Sequence, residues 1–169
     1  MVEFDPVSLL RTLDRHDVRF VVIGGLAAVI RGAPTVTTDL DVVPATGSEN
    51  LEALTAALTE LGARRRTVDD PDGIAFPIEP DLLAVGQSWT LVTAFGDLDL
   101  MFQPEGTQGY PDLVRGATTE MIADDPPLAV MVATLPDVIR SKEAAGRDKD
   151  RAVLPLLRRT LEEATRRRR

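Results

Sequence analysis

The sequence predicts an α+β fold, a mixed β-sheet flanked by helices. Three observations lead to it. Short apolar runs alternate with helical patterns early in the chain, two hairpin signatures come next, and two helical segments close it. The 169 residues are 44% hydrophobic and 27% charged, ordinary for a globular protein long enough to bury a core. Aromatics make up 4%, so the core is expected to be built from Leu, Val, Ile and Ala. No repeat or low-complexity linker divides residues 1–169, which read as one domain with a basic helix end and tail from about 158 to 169.

Asp5-Pro6 has the form of a helix start, N-cap then proline in the first turn, with Val7, Leu10 and Leu13 at helical spacing. Val18–Ile23 is a short apolar run bounded by Gly24-Gly25 and reads as a buried strand. Leu26–Arg31 reads as a short helix ended by Gly32, and Ala33–Thr37, with Pro34, as a turn. Thr38–Val43 alternates strictly and is predicted as a strand ended by Pro44. Thr46 and Glu49 have capping-box spacing ahead of a helix carrying Leu51, Leu54, Leu58 and Leu61, with Gly62 after it.

Residues 64–80 hold charges, prolines and a glycine, and read as a surface excursion with at most a short strand. Ser88–Ala94 and Asp97–Phe102 flank Phe95-Gly96 as a β-hairpin. Tyr110–Ala117 reads as a short helix. Thr118–Ile122 and Leu128–Ala133 flank an Asp-Asp-Pro-Pro turn as a second hairpin. Helices are predicted over Pro136–Ala145 and Lys149–Arg166.

Composition excludes several classes of function. Without cysteine there are no disulfides and no thiolate metal sites, and one histidine, His16, rules out a multi-histidine site within one chain. No apolar run is long enough to cross a bilayer, and Met1-Val2-Glu3-Phe4-Asp5 lacks the basic start of a signal peptide, so a cytoplasmic protein with no membrane partner is expected. The formal charge of −8 argues against broad non-specific nucleic-acid binding. Two basic runs stand apart from this balance, Arg64–Arg66 and the C-terminal arginines. Each reads as a solvated face, and the C-terminal run also as a local nucleic-acid patch.

The sharpest chemical signal is Gly24-Gly25 followed, after a short helix and a turn, by Thr38-Asp39-Leu40-Asp41. Period two puts Asp39 and Asp41 on one strand face, where the two carboxylates repel and lose hydration. A hard divalent cation such as Mg²⁺, with Mn²⁺ able to take its place, removes that conflict. The Gly-Gly pair lets backbone approach a ligand closely, and a helix N-terminus offers free N–H groups to phosphate. A third carboxylate is expected from a neighbouring strand, and Gly96-Asp97-Leu98-Asp99-Leu100 supplies two on one face. Asp97 sits beside the turn, where aspartate is common for local reasons, so Asp99 is the better candidate.

These segments resemble a known family. Arg19–Ala28, Thr37–Asp41, Phe95–Asp99, Leu135–Lys142 and Gly146–Asp150 resemble bacterial nucleotidyltransferase-like proteins of the polymerase β superfamily. The likeness is greatest to those related to type IV toxin–antitoxin and abortive-infection systems. It spans about residues 7–157. The resemblance implies a nucleotidyltransferase-like fold and a Mg²⁺-dependent transfer of a nucleoside monophosphate from an NTP to an acceptor hydroxyl. It implies metal ligation by Asp39 and Asp41, with Asp99 completing a second metal site or acting as general base. Gly24 and Gly25 would cradle phosphates, Thr38 would donate a hydroxyl, and Lys142 would contact phosphate. Asp150 would belong to the nucleotide site, although locally it reads equally as a helix cap or as a partner of Arg147. Arg147 and Lys149 read as structural or solvent-facing.

The acceptor implied by the resemblance is a tRNA end; a protein hydroxyl or a small aminoglycoside-like molecule would serve the same chemistry, and an antitoxin protein is an implied partner. One departure stands out. Relatives commonly carry arginine four residues before the first aspartate of the pair, and here that position is Thr35, with Arg31 as a candidate substitute. The departure motivates an alternative, a non-catalytic nucleotide-binding or interaction module of the same fold. Kinase-like phosphate transfer is a third reading.

Overall fold

The computed structural model describes residues 2–169. Helix α1 (Pro6–Arg15) starts as expected: Asp5 accepts from the Ser8 backbone N–H, and Leu9, Leu10 and Leu13 are buried. Strand β1 (Phe20–Ile23) begins two residues later than the apolar run, because the Val18 N–H bonds to the Leu13 carbonyl and closes α1. Helix α2 (Gly24–Ile30) starts on the Gly-Gly pair itself, not at Leu26. Strand β2 (Asp39–Pro44) carries the alternating segment. Pro44 lies inside its end, paired with Phe20, and the Ala45 N–H carries the ladder on to the Arg19 carbonyl.

Helix α3 (Ser48–Glu60) has Gly47 as N-cap with no side-chain cap bond, so the Thr46/Glu49 capping box does not form. Its start is held from the other side. The buried Asn50 side chain accepts from the Arg19 N–H and donates to the Arg19 and Ala45 carbonyls. Residues 64–80 form the expected excursion with one two-residue strand, β3 (Arg64–Arg65), and a short helix α4 (Pro80–Val85) comes after it. The Arg64–Arg66 run is absorbed locally: Arg64 donates to the Gly73 carbonyl, Arg65 lies over the Trp89 ring, and Arg66 pairs with Asp97.

Strands β4 (Ser88–Thr93) and β5 (Gly96–Met101) form the first hairpin, turning at Ala94-Phe95. Helix α5 (Tyr110–Leu113) is shorter than the segment predicted for it. Strands β6 (Thr118–Asp124) and β7 (Pro127–Val132) form the second hairpin. Helices α6 (Leu135–Ala145) and α7 (Asp148–Arg167) end the chain, so most of the basic tail is helical. No helix among the described residues is long and apolar enough to cross a membrane.

The strands make one mixed sheet in the order β3-β4-β5-β2-β1-β7-β6. Two contacts are parallel, β1 with β7 and β2 with β5; the others are antiparallel. The core is aliphatic apart from Phe20 and Trp89, as the composition predicts. Helix α2 packs on β1, β2 and α6, and α6 packs on α7. In the middle of the sheet, the β2–β5 contact sets Asp39 beside Asp97 and Asp41 beside Asp99.

Candidate functional site

Alternation along β2 buries Leu40 and Val42 and leaves Asp39 and Asp41 on the other face. The same alternation along β5 buries Leu98 and Leu100 and turns Asp99 to the face of the β2 pair. Parallel pairing in register converts these two local patterns into one cluster. An oxygen from each of Asp39, Asp41 and Asp99 lies within 4.8 Å of the others. Asp97 shares the face but not the cluster, since its carboxylate is paired with Arg66.

The glycines border this cluster differently. A Cβ at Gly24 would fall 2.0 Å from Asp41 Oδ2, and Gly24 has φ +70°, a conformation other residues rarely adopt. Only glycine lets β1 turn into α2 here with the Asp41 carboxylate against the backbone. A Cβ at Gly25 would fall 2.6 Å from the Thr37 hydroxyl. That hydroxyl donates to Asp39 Oδ1 at 3.1 Å and so orients one of the three carboxylates. Thr38, the residue expected to donate, is exposed at the rim, and Thr37 holds the inner position.

The electrostatics show the strain of the arrangement. Burial, then the charges of Asp39 and Asp99, push the Asp41 carboxyl up to about 7, against the pull of Lys142 and Lys149. Burial and the Asp39 charge also raise Asp99, while the Thr90 hydroxyl, opposite it on β4, works the other way. Asp99 Oδ1 is buried and has no hydrogen-bond donor among the described residues. A buried acceptor without a partner is costly.

The cluster floors a cavity of about 360 Å³ between the sheet, α2 and the α6–α7 corner. Lys142, Arg147 and Lys149 line it from that corner. Asp150 does not line it. Its side chain is fully buried beneath the wall, accepting from Arg147 Nε at 2.7 Å and lying 3.4 Å from Lys142 Nζ. Burial alone would raise the Asp150 carboxyl, but these two cations outweigh it and hold it below its usual value. Asp150 is thus the partner of Arg147 that the three-residue spacing allows, and it reaches the cavity only through the cations it holds.

Arg31 does not stand in for the arginine replaced by Thr35. Its guanidinium is committed to the Val132 and Ala133 carbonyls, Thr118 and Glu120, at the other side of α2. Arg147 and Lys149 both read from sequence as structural or solvent-facing; the structure brings both to the cavity wall, and of the two only Lys149 has no ion-pair partner among the described residues. A signal for Lys149 is present in the composition. Lys142 and Lys149 are the only two lysines of the chain, and every other basic position except His16 is arginine.

Compared with protein-family models and with curated proteins, the chain matches none.

Proposed function

We propose that this protein is a Mg²⁺-dependent nucleotidyltransferase of nucleotidyltransferase-like fold, moving a nucleoside monophosphate from an NTP to an acceptor hydroxyl. The observation that carries the reading is the convergence of Asp39, Asp41 and Asp99 from two parallel neighbouring strands. The donor set fits a hard cation: three carboxylates, one buried oxygen without a proton donor, and a glycine where a side chain would displace Asp41. The order β1, Gly-Gly, α2, β2 with Asp-x-Asp, and a third aspartate on the adjacent strand supports the family likeness drawn from sequence.

Bound Mg²⁺ or Mn²⁺ supplies charge neutralisation at the phosphate oxygens and acidifies the acceptor hydroxyl. The chain's residues do the rest. Asp39, held by Thr37, and Asp41, seated on Gly24, fix the metal-bearing phosphates. Lys142, placed by Asp150, offers a point charge to the same phosphates. The acceptor oxygen bonds to the α-phosphorus, its proton passes to Asp99, and the bond from the α-phosphorus to the bridging oxygen breaks, releasing pyrophosphate.

The test is incubation with each α-labelled NTP and Mg²⁺, using total tRNA and protein as acceptors. Label is expected to enter one acceptor pool, and Asp41→Asn is expected to abolish it. Incorporation that survives Asp41→Asn would overturn the assignment. A second reading, a non-catalytic nucleotide-binding module or toxin–antitoxin component, is favoured by Thr35 and by the engagement of Arg31 elsewhere. It predicts calorimetric binding of an NTP without turnover on any acceptor.

A further inference from the structure

We infer that Lys149 is a second phosphate-binding cation of the cavity, reaching from the first turn of α7 the same polyphosphate that Lys142 reaches from the last turn of α6. The inference rests on the nucleotide reading of the site and deepens it by naming a residue that contacts the leaving end of the ligand.

Four observations carry it. First, of the three cations lining the cavity, two already have a counterion: Lys142 and Arg147 both pair with Asp150. Among the described residues Lys149 has no carboxylate within 4.0 Å, so its charge is free for an incoming anion. Second, the corner brings the two lysines together. Gly146 caps α6 with φ +61°, and α7 starts two residues later, so lysines from two adjoining helix ends line one cavity. Third, a cation in the first turn opposes the helix dipole, so Lys149 does nothing for α7 that its neighbours Asp148 and Asp150 do not do better.

Fourth, the choice of lysine is selective. A chain whose other basic positions are all arginine except His16 has lysine at two of the three cationic positions lining the cavity, and the third, Arg147, has its guanidinium turned to Asp150. An arginine fork close to Asp41 and Asp99 would bond bidentately to the carboxylates needed for metal. A compact ammonium on a flexible stem can contact phosphate oxygens without capturing them.

The lysine count makes a direct test simple. The chain has ε-amines only at Lys142 and Lys149, so modification with an amine-selective reagent, read by peptide mass spectrometry, reports both sites individually. The probe is inorganic tripolyphosphate with Mg²⁺. Both lysines are expected to be shielded, and Lys149→Gln is expected to weaken Mg²⁺–tripolyphosphate binding by about tenfold. Mn²⁺ affinity in the same variant is expected to hold or to rise, since a competing cation is gone; a residue with only a structural role would lower both. Shielding of Lys142 with unchanged reactivity at Lys149 would overturn the inference and leave the nucleotide reading standing. Absence of tripolyphosphate binding altogether would overturn both.

Discussion

Gly24 packs its α-carbon against the Asp41 carboxylate, so closely that a Cβ would sit 2.0 Å from Oδ2. Gly32, at the other end of the same helix, also has positive φ, but nothing lies within 4 Å of its Cβ position. The two glycines therefore separate backbone strain from steric displacement. Gly32→Ala is expected to cost about 1–2 kcal/mol, the penalty of the left-handed conformation, with Mn²⁺ binding intact. Gly24→Ala adds the collision and is expected to lower the melting temperature further and to abolish measurable Mn²⁺ binding. Equal effects of the two substitutions on Mn²⁺ affinity would show that the contact with Asp41 does not matter.

The raised Asp41 carboxyl makes metal-free stability fall with pH. Its folded value of about 7 lies above the ordinary 3.8, so between those values the folded chain holds a proton that the unfolded chain has released. Stability from this group is complete below pH 3.8, declines as pH rises, and is lost above about 7. With chelator present, the melting temperature of wild type relative to Asp41→Asn is expected to fall between pH 5 and pH 8. Saturating Mg²⁺ is expected to recover the loss at pH 8 in wild type only. Metal affinity should weaken below about pH 7 as cation and proton compete for the same oxygens.

Legibility from sequence depends on range along the chain. Period two alone puts Asp39 with Asp41 and Asp97 with Asp99, so the acidic faces are readable from sequence. That β5 lies beside β2, in parallel and in register, is a long-range outcome that local pattern does not encode. The Thr46/Glu49 spacing misleads because a tertiary tie, Asn50 to the β1–β2 ends, sets where α3 begins. Lys149 reads as a solvated charge because no local pattern reports that the Gly146 corner turns it toward the acidic face. Asp150, by contrast, is found in the pairing its spacing from Arg147 allows.

Asn50 gives a stability prediction independent of function. Replacing it with alanine leaves the Arg19 N–H and the Ala45 carbonyl without their side-chain partner in a buried setting, while the Arg19 carbonyl keeps its bond from the Ala45 N–H. Two orphaned backbone groups are expected to cost about 3 kcal/mol in urea denaturation. Mn²⁺ affinity of the folded fraction should not change, because Asn50 ties strand ends away from the acidic cluster.

Asp97 and Asp99 test whether the cluster is chosen by face or by partner. They share a face and are two residues apart, but Asp97 is paired with the half-exposed Arg66, while Asp99 clusters with Asp39 and Asp41 and has a buried oxygen without a donor among the described residues. Asp97→Asn breaks a surface ion pair and is expected to cost about 0.5 kcal/mol with little change in Mn²⁺ affinity. Asp99→Asn removes a charge that its neighbours repel and gives the buried position an amide donor. It is expected to stabilise the metal-free protein and to weaken Mn²⁺ binding by at least about tenfold, since the loss of a ligand should exceed that of an outer hydrogen bond. Opposite signs for stability and metal affinity in one isosteric substitution are what a site strained for a cation produces. If Asp97→Asn rather than Asp99→Asn carried the metal loss, the cation would sit nearer the open end of β5, and the roles given to Asp41 and Gly24 would fail with it.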